Sequence, residues 1–402
     1  MFTPLVCLRR SLVVVLAANS LLITAAFGQQ PVQFVEHVID RDAGYSAGAV
    51  FDVNRDGKLD LVTGGRWYEA PDWKPHDILQ VEFINGRFDD YTCAPFDVNG
   101  DGWTDFLIAN YRSRKLGWVE NPGKAGGLWK EHVAERPGPM ETSRLVDVDH
   151  DGRLDLFPNG RDFAAWWNIM PGDGSRAPEF VRYELPPELV SHGNGAGDIN
   201  GDGRVDLVGA KGWLEAPEDR RHGRWHWHAD FDLGPGASVP ILVADLDGDG
   251  DTDLAWGRGH SVGVWWMEQA VVDGKRQWTP HTIDTSWSQP HTVEMADLDG
   301  DGRPELVAGK RYLGHDGNDL GEWDPLVIYY YKFLPDSRTW QRGAIAQPGS
   351  TAGFDVDPKL IDIDGDGDVD LYTSGRSGVY WFENLRVSSS SSAVAAPTAA
   401  TP

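Results

Sequence analysis

The chain has 402 residues, with 62 acidic against 36 basic side chains and a formal net charge of −26. Such a surface repels a phosphate backbone, which excludes nucleic acid as the natural partner. Length alone allows two or three domains, but a repeat overrides that guide.

Arg9 and Arg10 precede an apolar run from Leu12 to Phe27, and Ala26-Phe27-Gly28 places small residues around a cleavage point before Gln29. The pattern predicts a signal peptide over 1–28 and a secreted or periplasmic chain. A membrane anchor is the weaker reading, since the charge-free stretch barely reaches spanning length and no later segment does. Cys7 leaves with the peptide, so Cys93 has no intrachain disulfide partner.

A short strand pattern, Phe34-Val-Glu-His37-Val-Ile39, leads to the first of seven copies of a nine-residue frame. The frame has acid or amide at positions 1, 3, 5 and 9 and glycine at position 6. Copy one offers Asp52, Asn54, Asp56 and Asp60; copy two Asp97, Asn99, Asp101 and Asp105; copy three Asp147, Asp149, Asp151 and Asp155. Copy four offers Asp198, Asn200, Asp202 and Asp206, copy five Asp245, Asp247, Asp249 and Asp253. Copy six has Asp297, Asp299, Asp301 and Glu305, and copy seven Asp362, Asp364, Asp366 and Asp370. Calcium takes six to eight oxygens, and alternating side chains with one backbone carbonyl can wrap a single ion, so up to seven Ca²⁺ are expected. An EF-hand fails, because position 12 of copy one is Thr63 and the following sequence is strand-like. Acidic turns without metal are the plain alternative, disfavoured by the mutual repulsion of so many carboxylates. Seven calcium ions would offset about half of the net charge.

Each frame lies between two apolar strands. An aromatic third strand follows, as at Trp67-Tyr68-Glu69, Trp118-Val119-Glu120 and Tyr380-Trp381-Phe382, and then a fourth, as at Trp129-Lys-Glu-His132-Val and Trp278-Thr-Pro-His281-Thr-Ile283. Four strands per repeat make one propeller blade. The last repeat stops after its third strand, so Phe34 to Ile39 is expected to complete blade seven and remove the open edge. The fold class is therefore all-β, a seven-bladed propeller over 29–386, followed by a Ser/Ala/Thr/Pro tail over 387–402 expected to be disordered.

The Asp-x-Asp-x-Asp-Gly-x-x-Asp loops ahead of apolar strands resemble the FG-GAP or VCBS repeats of integrin-alpha-type propellers. That resemblance implies calcium in the loops on the lower face and ligands on the upper one. A weaker likeness is to the propeller domain of aldos-2-ulose dehydratase, whose additional cupin domains have no room here.

Six residues of strand span about 20 Å, so positions six before and six after each loop meet at the opposite face. Before the loops stand Ser46, Tyr91, Glu141, His192, Val239, His291 and Val356. After them stand Arg66, Arg112, Arg161, Lys211, Arg258, Lys310, Arg311 and Arg376, an expected basic ring for substrate. His37, His76, His132 and His281 share one repeated outer-strand place and read as structural. His192 and His291 break the repeat, against the plain reading of satisfied neighbours; His260 and His315 lie on upper-face connections. The third-strand aromatics read as interblade core more than as sugar platforms. The long interval of blade six carries Leu313 to Asp324, a loop expected to overhang the mouth, with a further calcium site as one option.

Two functions fit this mouth. In one, a sugar lyase or dehydratase uses His192 or His291 as base, Tyr91 as acid, and Lys310 or Arg311 on the developing charge; a variant holds Zn²⁺ or another divalent ion on Glu141, His192 and His291. In the other, the same mouth binds glycan without turnover. No Gly-x-Ser-x-Gly elbow is present, while paired glycosidase carboxylates stay open among so many acids.

Overall fold

A computed structural model describes residues 31–386, so the expected signal peptide and C-terminal tail lie outside the described residues. All strands belong to the unit beginning at Val32. They form seven four-stranded antiparallel sheets and one small hairpin, with two short 3-10 turns as the helical elements among the described residues.

Each acidic frame connects the first and second strands of its blade. In blade one these are Gly48–Phe51 and Asp60–Thr63, and in blade two Ala94–Phe96 and Asp105–Ala109. The glycine at position 6 has φ between 80° and 96° in all seven copies, a left-handed conformation that a Cβ would strain. Position 9 is the first residue of the second strand in every blade. Its side chain is 0–1% exposed, because that strand is packed between neighbouring blades on both faces. Interblade clusters such as Phe51, Val62, Phe106, Val119 and Trp129 fill the space between sheets.

Six blades are built from consecutive strands. The seventh joins Lys359–Ile361, Asp370–Gly375 and Gly378–Asn384 to Phe34–Asp40, which pairs antiparallel from Phe34↔Asn384 to Asp40↔Val379. The chain thereby closes its own ring, as the N-terminal strand pattern predicts. Asp40 fastens the end of this strand: its carboxylate accepts from the Tyr68 hydroxyl at 2.9 Å, from Arg66 at 3.1 Å, and from the backbone N–H of Asp42 and Ala43.

The outer histidines are structural in all the expected places. His37, His76, His132 and His281 each lie flat on a third-strand tryptophan, at 4.3–4.8 Å between centroids, and each bonds a glutamate through Nε2. Blade four repeats the arrangement with His228 on Trp213 and Glu215, and blade three puts Tyr183 on Trp166.

Candidate functional site

The starts of the first strands and the connections between second and third strands share the face opposite the acidic loops. Glu141 is the second residue of Met140–Val146, His291 the second of Pro290–Ala296, and His192 immediately precedes Asn194–Gly197 by two residues. His260 sits in the turn between Asp253–Gly257 and Val262–Val272, and His315 and Asp319 in the long segment between Glu305–Lys310 and Ile328–Leu334. Gly259 lets the His260 turn approach, since a Cβ there would come within 3.0 Å of the His291 ring.

The structure brings Glu141, His192 and His291 together and adds His260 to them. One nitrogen from each of His192, His260 and His291 lies within 4.8 Å of the others, and His260, His315 and Asp319 form an adjoining group. Hydrogen-bond accounting fixes the tautomers. The Ala237 carbonyl can only accept, so Nδ1 of His192, 2.6 Å away, carries a proton and Nε2 of the neutral ring presents a lone pair. The Asp319 carboxylate also accepts, which puts the His260 proton on Nδ1, 3.0 Å from it. With both rings neutral, the two Nε2 lone pairs would face each other across 2.8 Å. One cation, a proton or a metal ion, is needed to relieve that contact. Burial, with the His192 charge next, lowers the His260 pKa to about 4, which keeps the shared proton off His260; a proton on Nε2 of His192, which also faces Glu141 at 3.2 Å, or a metal ion relieves the contact. Histidines whose outer N–H is anchored by a carbonyl or a carboxylate are typical metal ligands.

Beside the imidazoles lies a buried ion cluster. Glu141 approaches His192 at 3.2 Å, His291 at 3.3 Å and the Arg311 guanidinium at 2.8 Å. Arg311 also donates to Nε2 of His291 at 3.0 Å and pairs with Asp355 at 2.9 Å. Burial opposes the Glu141 charge, but the adjacent imidazoles of His291 and His192 hold its pKa well below the ordinary carboxylate range. Burial and then the Arg311 charge push His291 well below the usual histidine value, against the pull of Glu141, and its Nδ1 is buried without a partner. Tyr91 is buried, which raises its phenol pKa and keeps it protonated; Arg311 is the largest charge acting on it.

The remaining members of the expected basic ring are dispersed. Lys310 is fully buried and donates to Ser288 Oγ at 2.8 Å and the Gly321 carbonyl at 2.6 Å, holding the base of the blade-six loop. Arg376 donates to the Leu313 carbonyl and to Asp316, and Arg87 pairs with Asp316 at 2.9 Å, so that loop is clamped from blades one to two and from blade seven. Arg66 belongs to the Asp40 anchor, Arg258 lies over the Trp265 ring, Arg112 donates its backbone N–H to Asp89, and Arg161 and Lys211 are exposed. Only Arg311 of the ring reaches the histidines. His260 was the residue least visible in sequence, because its turn has no repeated register.

On the other face, the position-1 carboxylate accepts the position-6 N–H in every frame, at 2.7–3.0 Å. Position 9 accepts the position-2 N–H at 2.8–3.1 Å, tying the loop to the second strand. Carboxylates converge within 4.8 Å at Asp147/Asp149/Asp155, Asp245/Asp247/Asp249 and Asp297/Asp299/Glu305. Neighbouring cations reach into the same places: Arg221 to Asp149 and Asp151, Arg338 to Asp247, and Lys332 to Asp299 and Asp301. These hard oxygen donors fit calcium, and the inserted guanidinium and ammonium groups mark the cation demand.

Residues 97–157 and 245–308 match the FG-GAP-like repeat family. The chain thus carries FG-GAP-like repeats in two places within a seven-bladed propeller. Among solved structures, an Agrocybe aegerita lectin described as recognising non-reducing terminal N-acetylglucosamine is 16% identical, covers 89% of this chain and 94% of its own, and has a TM-score of 0.48. BBS1N, solved in complex with ARL6DN, is 11% identical over 90% of this chain and 99% of its own, with a TM-score of 0.49. The exotype rhamnogalacturonan lyase YesX is 11% identical over 87% and 72%, with a TM-score of 0.45. No curated relative matches the chain.

Proposed function

We propose that the upper face is a carbohydrate site built around one divalent ion of the zinc type, held by His192 and His260 beside Glu141, with His291 joining when Arg311 releases its Nε2, and that it performs β-elimination on a sugar with an acidic C–H. The observation that carries this reading is the 2.8 Å approach of Nε2 of His192 to Nε2 of His260 with both outer nitrogens anchored. An ion bound there supplies Lewis-acid polarisation of a carbonyl or carboxylate. His315 is the candidate base: its Nδ1 is 2.8 Å from Asp319, which orients the ring, and half of the side chain is exposed at the mouth. It takes the proton alpha to the carbonyl, the C–H electron pair forms the new double bond, and the β C–O bond breaks. Tyr91, protonated, is the candidate donor to the leaving oxygen, and Arg311 balances charge developing near Glu141.

The lower loops are proposed to hold up to seven calcium ions. The secreted or periplasmic setting expected from the N-terminus would provide the millimolar calcium that such loops use.

A second reading, glycan binding without turnover, is favoured by closure: His291 is 0% exposed, and the Glu141 and His192 side chains 10%. Metal analysis and cobalt substitution separate the two. One nitrogen-ligated ion per chain, lost in a folded His192→Ala/His260→Ala variant together with formation of ultraviolet-absorbing unsaturated product, supports the elimination. Calcium alone, with no cobalt ligand-field bands and no product from keto-sugars or uronate polysaccharides, sinks it.

A further inference from the structure

Between blades one and two, beside their acidic loops, lies a cleft of about 770 Å³ lined by none of the residues of the histidine cluster. Trp67, Trp103 and Trp129 line it, with His76, Arg55 and Lys124. The aromatic surfaces are fixed. His76 lies flat on Trp67 at 4.4 Å, Arg55 caps Trp103 at 4.6 Å, and Trp129 is set by its backbone N–H to the Ile78 carbonyl at 2.7 Å. Gly123 permits the lip of the cleft to close on Trp103, because a Cβ there would come within 2.7 Å of the indole. Leu128, on the same lip, is 68% exposed.

Arg55 stands inside the first acidic frame, between Asn54 and Asp56, and reaches the second frame at Gly102, while Lys124 lies on the lip. Arg55 and Lys124 make no ion pair among the described residues, while the acid in the wall, Asp77, is paired with Arg66 at 3.1 Å. On a chain of net charge −26, two unpaired cations beside three indoles select a ligand with planar or apolar faces and a negative group. A sugar ring stacks its C–H face on aromatic side chains and offers hydroxyls to N–H donors; a carboxylate on that ring meets the cations. The volume falls within the range of small-ligand sites.

We infer that this cleft is a separate binding site for acidic sugar, a hexuronate unit of a polysaccharide, independent of any chemistry at the histidines. The probe is trigalacturonate, with galactotriose as its neutral counterpart, titrated by calorimetry and tryptophan fluorescence in calcium-containing buffer. The protein is the folded His192→Ala/His260→Ala variant, which removes the upper site. Trigalacturonate is expected to bind that variant at least tenfold more tightly than galactotriose, and to weaken with salt. Arg55→Asn with Lys124→Gln is expected to lose at least tenfold in affinity and most of the salt dependence; asparagine suits the positive φ of 62° at residue 55. Trp103→Ala is expected to abolish the fluorescence change. Absence of binding, equal binding of galactotriose, or affinity unchanged in the Arg55/Lys124 variant overturns the inference, whatever becomes of activity at the histidines.

Discussion

Removing calcium should lower the melting temperature by an amount that can be worked out from the number of loops. All seven frames have a position-1 carboxylate already bonded to the loop backbone, and carboxylate oxygens converge in frames three, five and six. Extracellular calcium modules have Kd on the order of 10⁻⁴ M. At a free calcium concentration about tenfold higher, each loop stabilises the folded state by about 1.4 kcal/mol, the value of RT ln(1 + [L]/Kd). Seven independent loops give about 10 kcal/mol, comparable to the whole stability of an ordinary domain. An unfolding entropy of about 2.1 cal/mol/K per residue over about 350 residues is about 0.7 kcal/mol/K, so the expected shift is about 13 °C. Scanning calorimetry in millimolar CaCl₂, then in EDTA, measures it, with MgCl₂ as control. Disabling one loop with Asp149→Ala and Asp151→Ala should remove about a seventh of the effect, about 2 °C. A shift under about 2 °C for the parent, or an equal response to magnesium, refutes the assignment.

Arg221 competes for loop three, so Arg221→Gln should tighten calcium there about fivefold, the effect of about 1 kcal/mol from one unit charge at contact in water; calorimetric titration against the parent reads it. Burial opposes the Asp40 charge, but bonds from Tyr68, the Asp42 backbone and Arg66 lower its pKa. Its contribution is therefore present above the unfolded value near 3.8 and lost as pH falls through the folded value. Asp40→Asn should cost about 1–3 kcal/mol at neutral pH and flatten the stability curve on the acid side of pH 4; an unchanged acid limb in urea melts would contradict the anchor. Gly195→Ala would place a Cβ 2.2 Å from the Ile241 carbonyl oxygen, between the inner strands of blades four and five. A loss of about 1–3 kcal/mol is expected from chemical denaturation, and no loss would refute a close approach of the two strands there.

Repetition made the architecture readable. A frame that recurs seven times constrains itself, and the unpaired strand at Phe34 to Ile39 had one vacancy to fill, which Asn384 to Val379 provides. The outer histidines were readable for the same reason, since a residue held at one register in several blades has one environment. The mouth was only half readable. His192, His291 and Glu141 stood out by departing from the repeat at a position where the strand direction sets their height. His260 did not, because whether a turn residue reaches a neighbouring blade depends on how Gly236 and Gly259 bring the backbones together. The basic ring dispersed because counting residues along a strand gives height and not direction. Lys310 and Arg311 are adjacent, yet successive side chains leave opposite faces: one enters the loop base, the other the histidine cluster.

The ion cluster itself argues that the mouth is kept for something other than stability. Arg311 and Asp355 are 4% and 2% exposed, and Glu141 is 7% exposed, at a place where blades one, five and seven put Ser46, Val239 and Val356. Charges withdrawn from water recover their desolvation cost only when geometry is excellent, and apolar replacements of similar volume are often as stable or more so. Here the geometry is incomplete. Nδ1 of His291 is buried without a partner, and Nε2 of His192 stands 2.8 Å from Nε2 of His260. A propeller free to place valine at this height, as it does in two blades, has instead assembled a carboxylate, a guanidinium and three imidazoles within contact of each other. A carboxylate, a guanidinium and imidazoles gathered at one place, with a buried nitrogen left unpartnered, is what a binding or reacting centre requires and what a purely structural rim would have lost.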